Sequence, residues 1–231
     1  MRIIRLLFAR ELCLLALVLA LTSAMVTGLV AGRIVCTGTT RYAFLIWNLF
    51  LAWLPLVFAL LARERFRSRQ RLDWRFTLLA GLWLLFFPNA PYIFTDLVHL
   101  TRGSPHLFWV DMMLVVIGAF TGLVLGLVSL QLMQSIVAQR RGRLTGWTFV
   151  AATCGLGALG VHLGRFVRLN SWDAALAPVS VARHVGASMW GMLHDLPSAA
   201  FVILFSLFLL LAHAMLHALM RMAQSSSEYN Q

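Results

Sequence analysis

The chain has 231 residues, 61% of them hydrophobic and only 12% charged, with a mean hydropathy of +0.84. That is more apolar surface than a water-soluble domain of this length can bury, and the same hydrophobicity excludes a disordered chain. Its 19 basic residues are all arginine and its acidic residues number 8, a formal net charge of +11.

A bilayer core roughly 30 Å thick needs about 20 apolar residues in helical form. Six runs of that order occur, and they predict an all-α polytopic protein whose residues 1–231 form a single integral membrane domain. The first run, Leu12 to Gly32, follows Arg2, Arg5 and Arg10 in the manner of a signal peptide. Its apolar stretch continues past Thr22-Ser23-Ala24 to spanning length, so an uncleaved anchor is expected. The second run is Tyr42 to Ala62, and a segment carrying Arg63, Arg65, Arg67, Arg69, Arg71 and Arg75 follows it. In isolation those arginines would suit a nucleic acid; beside two spans they read as a loop against anionic lipid headgroups, with no nucleic acid expected.

The third run, Phe76 to Phe94, ends in Pro88-Asn89-Ala90-Pro91-Tyr92, where two prolines interrupt helical hydrogen bonding and Asn89 can satisfy some of the freed groups. A helical turn restarting after Pro91 puts Asp96 and His99 on one face, with Tyr92 a turn behind. The fourth run, Leu107 to Met133, carries Asp111 near its start and then Gly118, Gly122 and Gly126 at intervals of four, a smooth ridge suited to close helix packing. The fifth, Trp147 to Phe166, presents His162, Arg165 and Arg168 at intervals of three, and Asn170 with Asp173 fits a helix-start cap. Val179 to His194 has the mixture of an interfacial helix. The sixth run is Ala199 to Met220; its His213 and His217 have metal-ligand spacing but no third ligand, and read as packed or hydrogen-bonded.

Arginines in alternate compartments number 13 and 6, which places both termini in the cytoplasm. The ionisable residues nearest the membrane then gather on the outer side, where their cost in apolar surroundings makes them candidates for function. Asp96, His99 and Asp111 are the candidate catalytic groups, as ligands of a divalent metal or as an oriented acid/base set. Arg165 and Arg168, with Asn89, Tyr92 and Asp173, are the candidate substrate-binding groups, the two guanidiniums suiting an anionic lipid or lipid-linked substrate. Two other readings stay open: a carrier, because of the broken third span, and a non-catalytic assembly protein whose charges are paired. Three cysteines, Cys13, Cys36 and Cys154, imply no disulfide framework, and the chain has no zinc-protease, phosphate-loop or serine-elbow motif.

The strings Asn48-Leu49 to Pro55, Pro88 to Tyr92 with Thr95-Asp96 and His99, Trp109-x-Asp111, Leu163-Gly164-Arg165-Phe166 and Asn170 to Asp173 resemble the bacterial membrane-protein family catalogued as domain of unknown function 1361. The likeness runs from the second span to at least Pro178. It implies a multi-spanning protein of a bacterial inner membrane and supplies no mechanism. That family usually has an aromatic residue where this chain has His162, which sets His162 apart from Asp96, His99, Asp111, Arg165 and Asp173.

Overall fold

A computed structural model describes residues 2–69, 73–102, 105–169, 171, 173–176, 178–192 and 194–229. Helices account for nearly all of them, and no strand occurs among the described residues. In chain order they are α1 (Arg2–Thr37), α2 (Phe44–Arg69), α3 (Trp74–Phe86), the single turn α4 (Asn89–Tyr92), a 3-10 helix (Ile93–Arg102), a second short one (Pro105–Leu107), α5 (Phe108–Arg141), α6 (Arg143–His162) leading into a π-turn (Leu163–Val167), the single turn α7 (Asp173–Leu176), α8 (Pro178–Met192) and α9 (Leu196–Tyr229). Among the described residues six segments are long and apolar enough to cross a membrane, the third being α3 together with the broken stretch up to Leu100.

The central element is α5, which is buried on nearly all sides from Thr121 to Ile136, while Met113, Val116 and Phe120 give its first part an exposed face. The helices around it show why the composition is so apolar. Leu14, Leu17, Leu21 and Met25 of α1 and Ile203, Leu204, Leu211 and Met215 of α9 face outward, which only a lipid solvent tolerates in such number. Between helices the apolar effect is weak in lipid, and polar contacts with close backbone packing take over. Thus Thr121 of α5 donates to Thr22 of α1 at 3.1 Å, Trp83 of α3 donates to Ser129 at 3.1 Å, and Gln134 pairs with His213 of α9 at 2.8 Å. His217 is 3.3 Å from Gln131, so the two α9 histidines are hydrogen-bonded residues of the α5–α9 seam.

The arginine-rich segment differs from the expected loop. Helix α2 continues through Arg63, Arg65 and Arg67 to Arg69, because nothing in Ala62 to Arg69 breaks a helix and arginine is a good helix former. Asp73 then caps α3 by accepting from the Phe76 amide at 3.0 Å, and it is also ion-paired to Arg65. Arg65 and the Phe76 amide together hold the Asp73 carboxyl below its ordinary pKa. A depressed carboxylate stabilises the fold above the ordinary carboxylate range, and that contribution is lost as pH falls through the depressed value. We expect Asp73→Asn, which keeps the cap, to flatten the acid limb of a stability profile; a limb unchanged from wild type would show the pairing to be inert.

Candidate functional site

The site is organised by the break after α3. Pro88 and Pro91 have no N–H to donate, so carbonyls at the end of α3 lack their usual partners. Asn89 Nδ2 donates to the Phe86 carbonyl at 3.1 Å and Ser171 Oγ to the Leu85 carbonyl at 3.2 Å, while Asn89 and Ser171 are bonded to each other at 2.8 Å. Asn89 therefore does what its position predicts and also ties the break to the segment after the π-turn.

Two glycine ridges grip the broken stretch. On α5, a Cβ at Gly122 would stand 2.5 Å from the Ala90 carbonyl oxygen and one at Gly126 3.1 Å from Ala90 Cβ, while one at Gly118 would be in ordinary contact with Ile93 and Val26 at 3.8 Å. On α6, a Cβ at Gly157 would stand 2.7 Å from Phe87 and one at Gly160 would collide with the Pro88 ring, and in the π-turn one at Gly164 would stand 3.3 Å from Tyr92. The first ridge is the one the sequence singles out. The second, Gly157, Gly160 and Gly164, carries the same signal of small residues at intervals of three and four.

Beyond Tyr92 the chain winds as a 3-10 helix, in which residues three apart eclipse one another, and this aligns Asp96 with His99. Asp96 is 1% exposed. Its Oδ2 accepts from Asn48 Nδ2 of α2 at 2.9 Å and its Oδ1 from Arg165 Nη1 at 3.1 Å. Arg165 Nη2 also lies 3.5 Å from His99 Nε2. His99 Nε2 is 3.7 Å from Asp96 Oδ1, too far for a hydrogen bond. One guanidinium thus bridges a carboxylate and an imidazole, and α2, the broken third span and the π-turn meet at it.

Asp111 belongs elsewhere. Arg33 at the end of α1 holds it with Nε at 2.8 Å and Nη2 at 3.3 Å, and the Tyr42 hydroxyl donates to it at 3.1 Å. Burial first, then the Asp111 carboxylate beside it, raise the Tyr42 phenol above its ordinary value and keep it a donor. With both Asp111 oxygens taken, Asp96, His99 and Asp111 do not assemble as a ligand set, and no three His, Cys, Asp or Glu side chains converge as one among the described residues. The donors present, Arg33 and Arg165, are cations where a metal would stand, so these residues do not fit a divalent ion.

Arg168 does not follow Arg165 at regular helical spacing. Past His162 the backbone widens into the π-turn, so positions three apart no longer share a face. Arg168 then takes a left-handed conformation (φ 62°) and is exposed, and the Leu169 amide closes the end by donating to the Leu163 carbonyl at 3.2 Å. His162 turns away from Arg165 to pack between Phe166 and Phe201, at ring-centroid distances of 4.8 and 6.0 Å. Asp173 opens α7, and Asn170, the expected cap, lies outside the described residues.

A cavity of about 290 Å³ adjoins the network. Asn48, Asn89, Tyr92 and Ser171 give it a polar side, and Trp47, Leu51, Leu84, Leu85, Leu163, Val181 and Val185 an apolar one. Trp47 and Leu84 are exposed on the lipid-facing sides of α2 and α3, so the cavity borders the bilayer laterally. Asn89 Oδ1, Asn48 Oδ1 and the Tyr92 hydroxyl have no protein partner among the described residues. Arg165 sits over the Tyr92 ring at 6.0 Å from its centroid.

Six apolar spans around a proline-broken third span, with a buried ion-paired network and a lateral cavity at the break, define a multi-pass helical membrane protein. The chain belongs to the family described as protein of unknown function (DUF1361), which matches residues 47–212. Asn48, Asp96, His99 and Arg165 fall within the matched span; Arg33 and Tyr42 precede it. No curated protein and no solved structure matches the chain.

Proposed function

We propose that this protein binds an amphiphile of the lipid class in the cavity beside the broken third span, in the outer leaflet of a bacterial inner membrane, with the arginine-rich helix ends in the cytoplasm. The cavity carries the reading, because it combines lateral access from lipid with a polar wall at a fixed depth. Asn48 Oδ1 and Asn89 Oδ1 accept hydrogen bonds, while the Tyr92 hydroxyl and the second Asn48 amide hydrogen can donate, so the head group they suit is neutral and rich in hydroxyls, such as a glycosyl or glycerol head. An anionic head is disfavoured, since Arg165 is already neutralised by Asp96 and Arg168 stands apart.

Asp96 and Arg165 are positioning residues in this reading. The carboxylate does not line the cavity, and its two oxygens are held by Asn48 and Arg165. A carrier would need a continuous path, but below the cavity Phe87 is buried against Gly157 and Gly126, and Trp83 is buried and bonded to Ser129.

Native mass spectrometry of the full chain released from mild detergent tests the proposal. Wild type is expected to retain a one-to-one lipid adduct, and Val181→Trp, which fills the cavity from the peripheral α8, is expected to lose it. Absence of any adduct, or equal occupancy in the variant, would overturn it.

A further inference from the structure

At the arginine-rich end, a second and separate groove lies between the start of α3, the end of α5 and the start of α6. We propose that this groove binds an anionic phospholipid of the surrounding bilayer, its phosphate held by Arg140 and Arg141.

The volume is about 560 Å³, and Phe76, Ile136, Val137, Phe149 and Ala152 make its walls apolar over about two helical turns. Ala152 and Thr148 are exposed, which leaves the groove open sideways to the bilayer. An apolar trough in that position is filled by an acyl chain, because water gains no partners there. Its mouth has the opposite character. Arg140 and Arg141 end α5, both are exposed, and neither guanidinium has an ion-pair or hydrogen-bonding partner among the described residues.

The other polar groups at the mouth select for an anion. Thr145 Oγ1 donates to the Arg141 carbonyl at 3.0 Å and Thr148 Oγ1 to the Thr145 carbonyl at 2.9 Å, so both hydroxyl protons are spent within α6. The side-chain donors left are the two guanidiniums, whose paired N–H groups match phosphate oxygens. Arg65 on neighbouring α2 offers no equivalent, because Asp73 neutralises it. A basic mouth over an apolar trough between spans recognises a lipid phosphate together with its chains, which a soluble anion cannot reproduce.

The test titrates the detergent-solubilised full chain with phosphatidylglycerol or phosphatidylcholine and reads bound lipid by native mass spectrometry. Phosphatidylglycerol is expected to bind at least tenfold more tightly than phosphatidylcholine and to resist displacement by inorganic phosphate. Arg140→Gln with Arg141→Gln, and separately Ala152→Trp, are expected to remove that preference, whereas Arg221→Gln, an exposed arginine near the same end, and Val181→Trp are expected to leave it intact. Equal binding of the two lipids, displacement by phosphate, an unaffected double variant, or an equal loss in Arg221→Gln would each overturn the assignment.

Discussion

Asp96→Ala is expected to destabilise the protein by about 3–5 kcal/mol, the scale for removing one partner of a buried ion pair. The loss has two parts. Arg165 keeps its charge but loses the carboxylate at 3.1 Å, and Asn48 Nδ2 loses its acceptor at 2.9 Å. Both groups sit at membrane depth, where water does not replace a missing partner cheaply. Arg165→Gln alone should cost a comparable amount by stranding the carboxylate, which is 1% exposed. The combined Asp96→Asn/Arg165→Gln variant should recover a substantial part of the loss, because neither partner is then left charged. Reversible unfolding in mixed micelles measures all three. If the double variant is as unstable as the sum of Asp96→Asn and Arg165→Gln measured singly, the two side chains do not act as a pair.

The second large effect concerns the glycine ridges. Gly122→Ala and Gly160→Ala should each cost about 1–3 kcal/mol, the range for overpacking a close contact. At Gly122 the new Cβ meets a backbone oxygen, and at Gly160 it meets a proline ring, neither of which rotates aside. Combined, they should displace Ala90 and Pro88 from both sides and open the Asn89–Ser171 contact. Gly81→Ala is the control: it lies within α3 with nothing within 4 Å of a Cβ, and alanine favours helix there. Because the α5 ridge faces the chain's own broken segment, Gly122 variants should lose folded protein without first dissociating an oligomer. A Gly122 variant that stays folded while an oligomer falls apart would show the ridge to be an intermolecular surface.

Six spans and the break between them are legible in the sequence because both have one-dimensional causes, a run of apolar residues and a pair of prolines. Asp96 and His99 are legible as neighbours because either an α or a 3-10 helix aligns residues three apart. The Asp111 partner is not. Arg33 reads as a loop arginine counted for topology, and nothing local shows that α1 runs to Thr37 and carries it beside the start of α5. Arg168 fails for a different reason: helical spacing places it with Arg165, but the π-turn and the left-handed residue after it cancel that spacing. The cavity is formed by α2, α3, the end of α6 and α8, and such a convergence has no sequence signature of its own.

Site-specific photo-crosslinking in native membranes reads most directly whether the cavity at the break holds a lipid-class amphiphile. Benzoylphenylalanine replacing Val185 places the probe in the cavity wall, and the same probe replacing Leu204, on the lipid-facing side of α9, reports the bulk bilayer. The expected result is adducts at position 185 enriched in one lipid class relative to position 204, and lost when Val181→Trp fills the cavity. Adducts at 185 that merely reproduce the bulk composition found at 204, or no adducts at all, would contradict the claim.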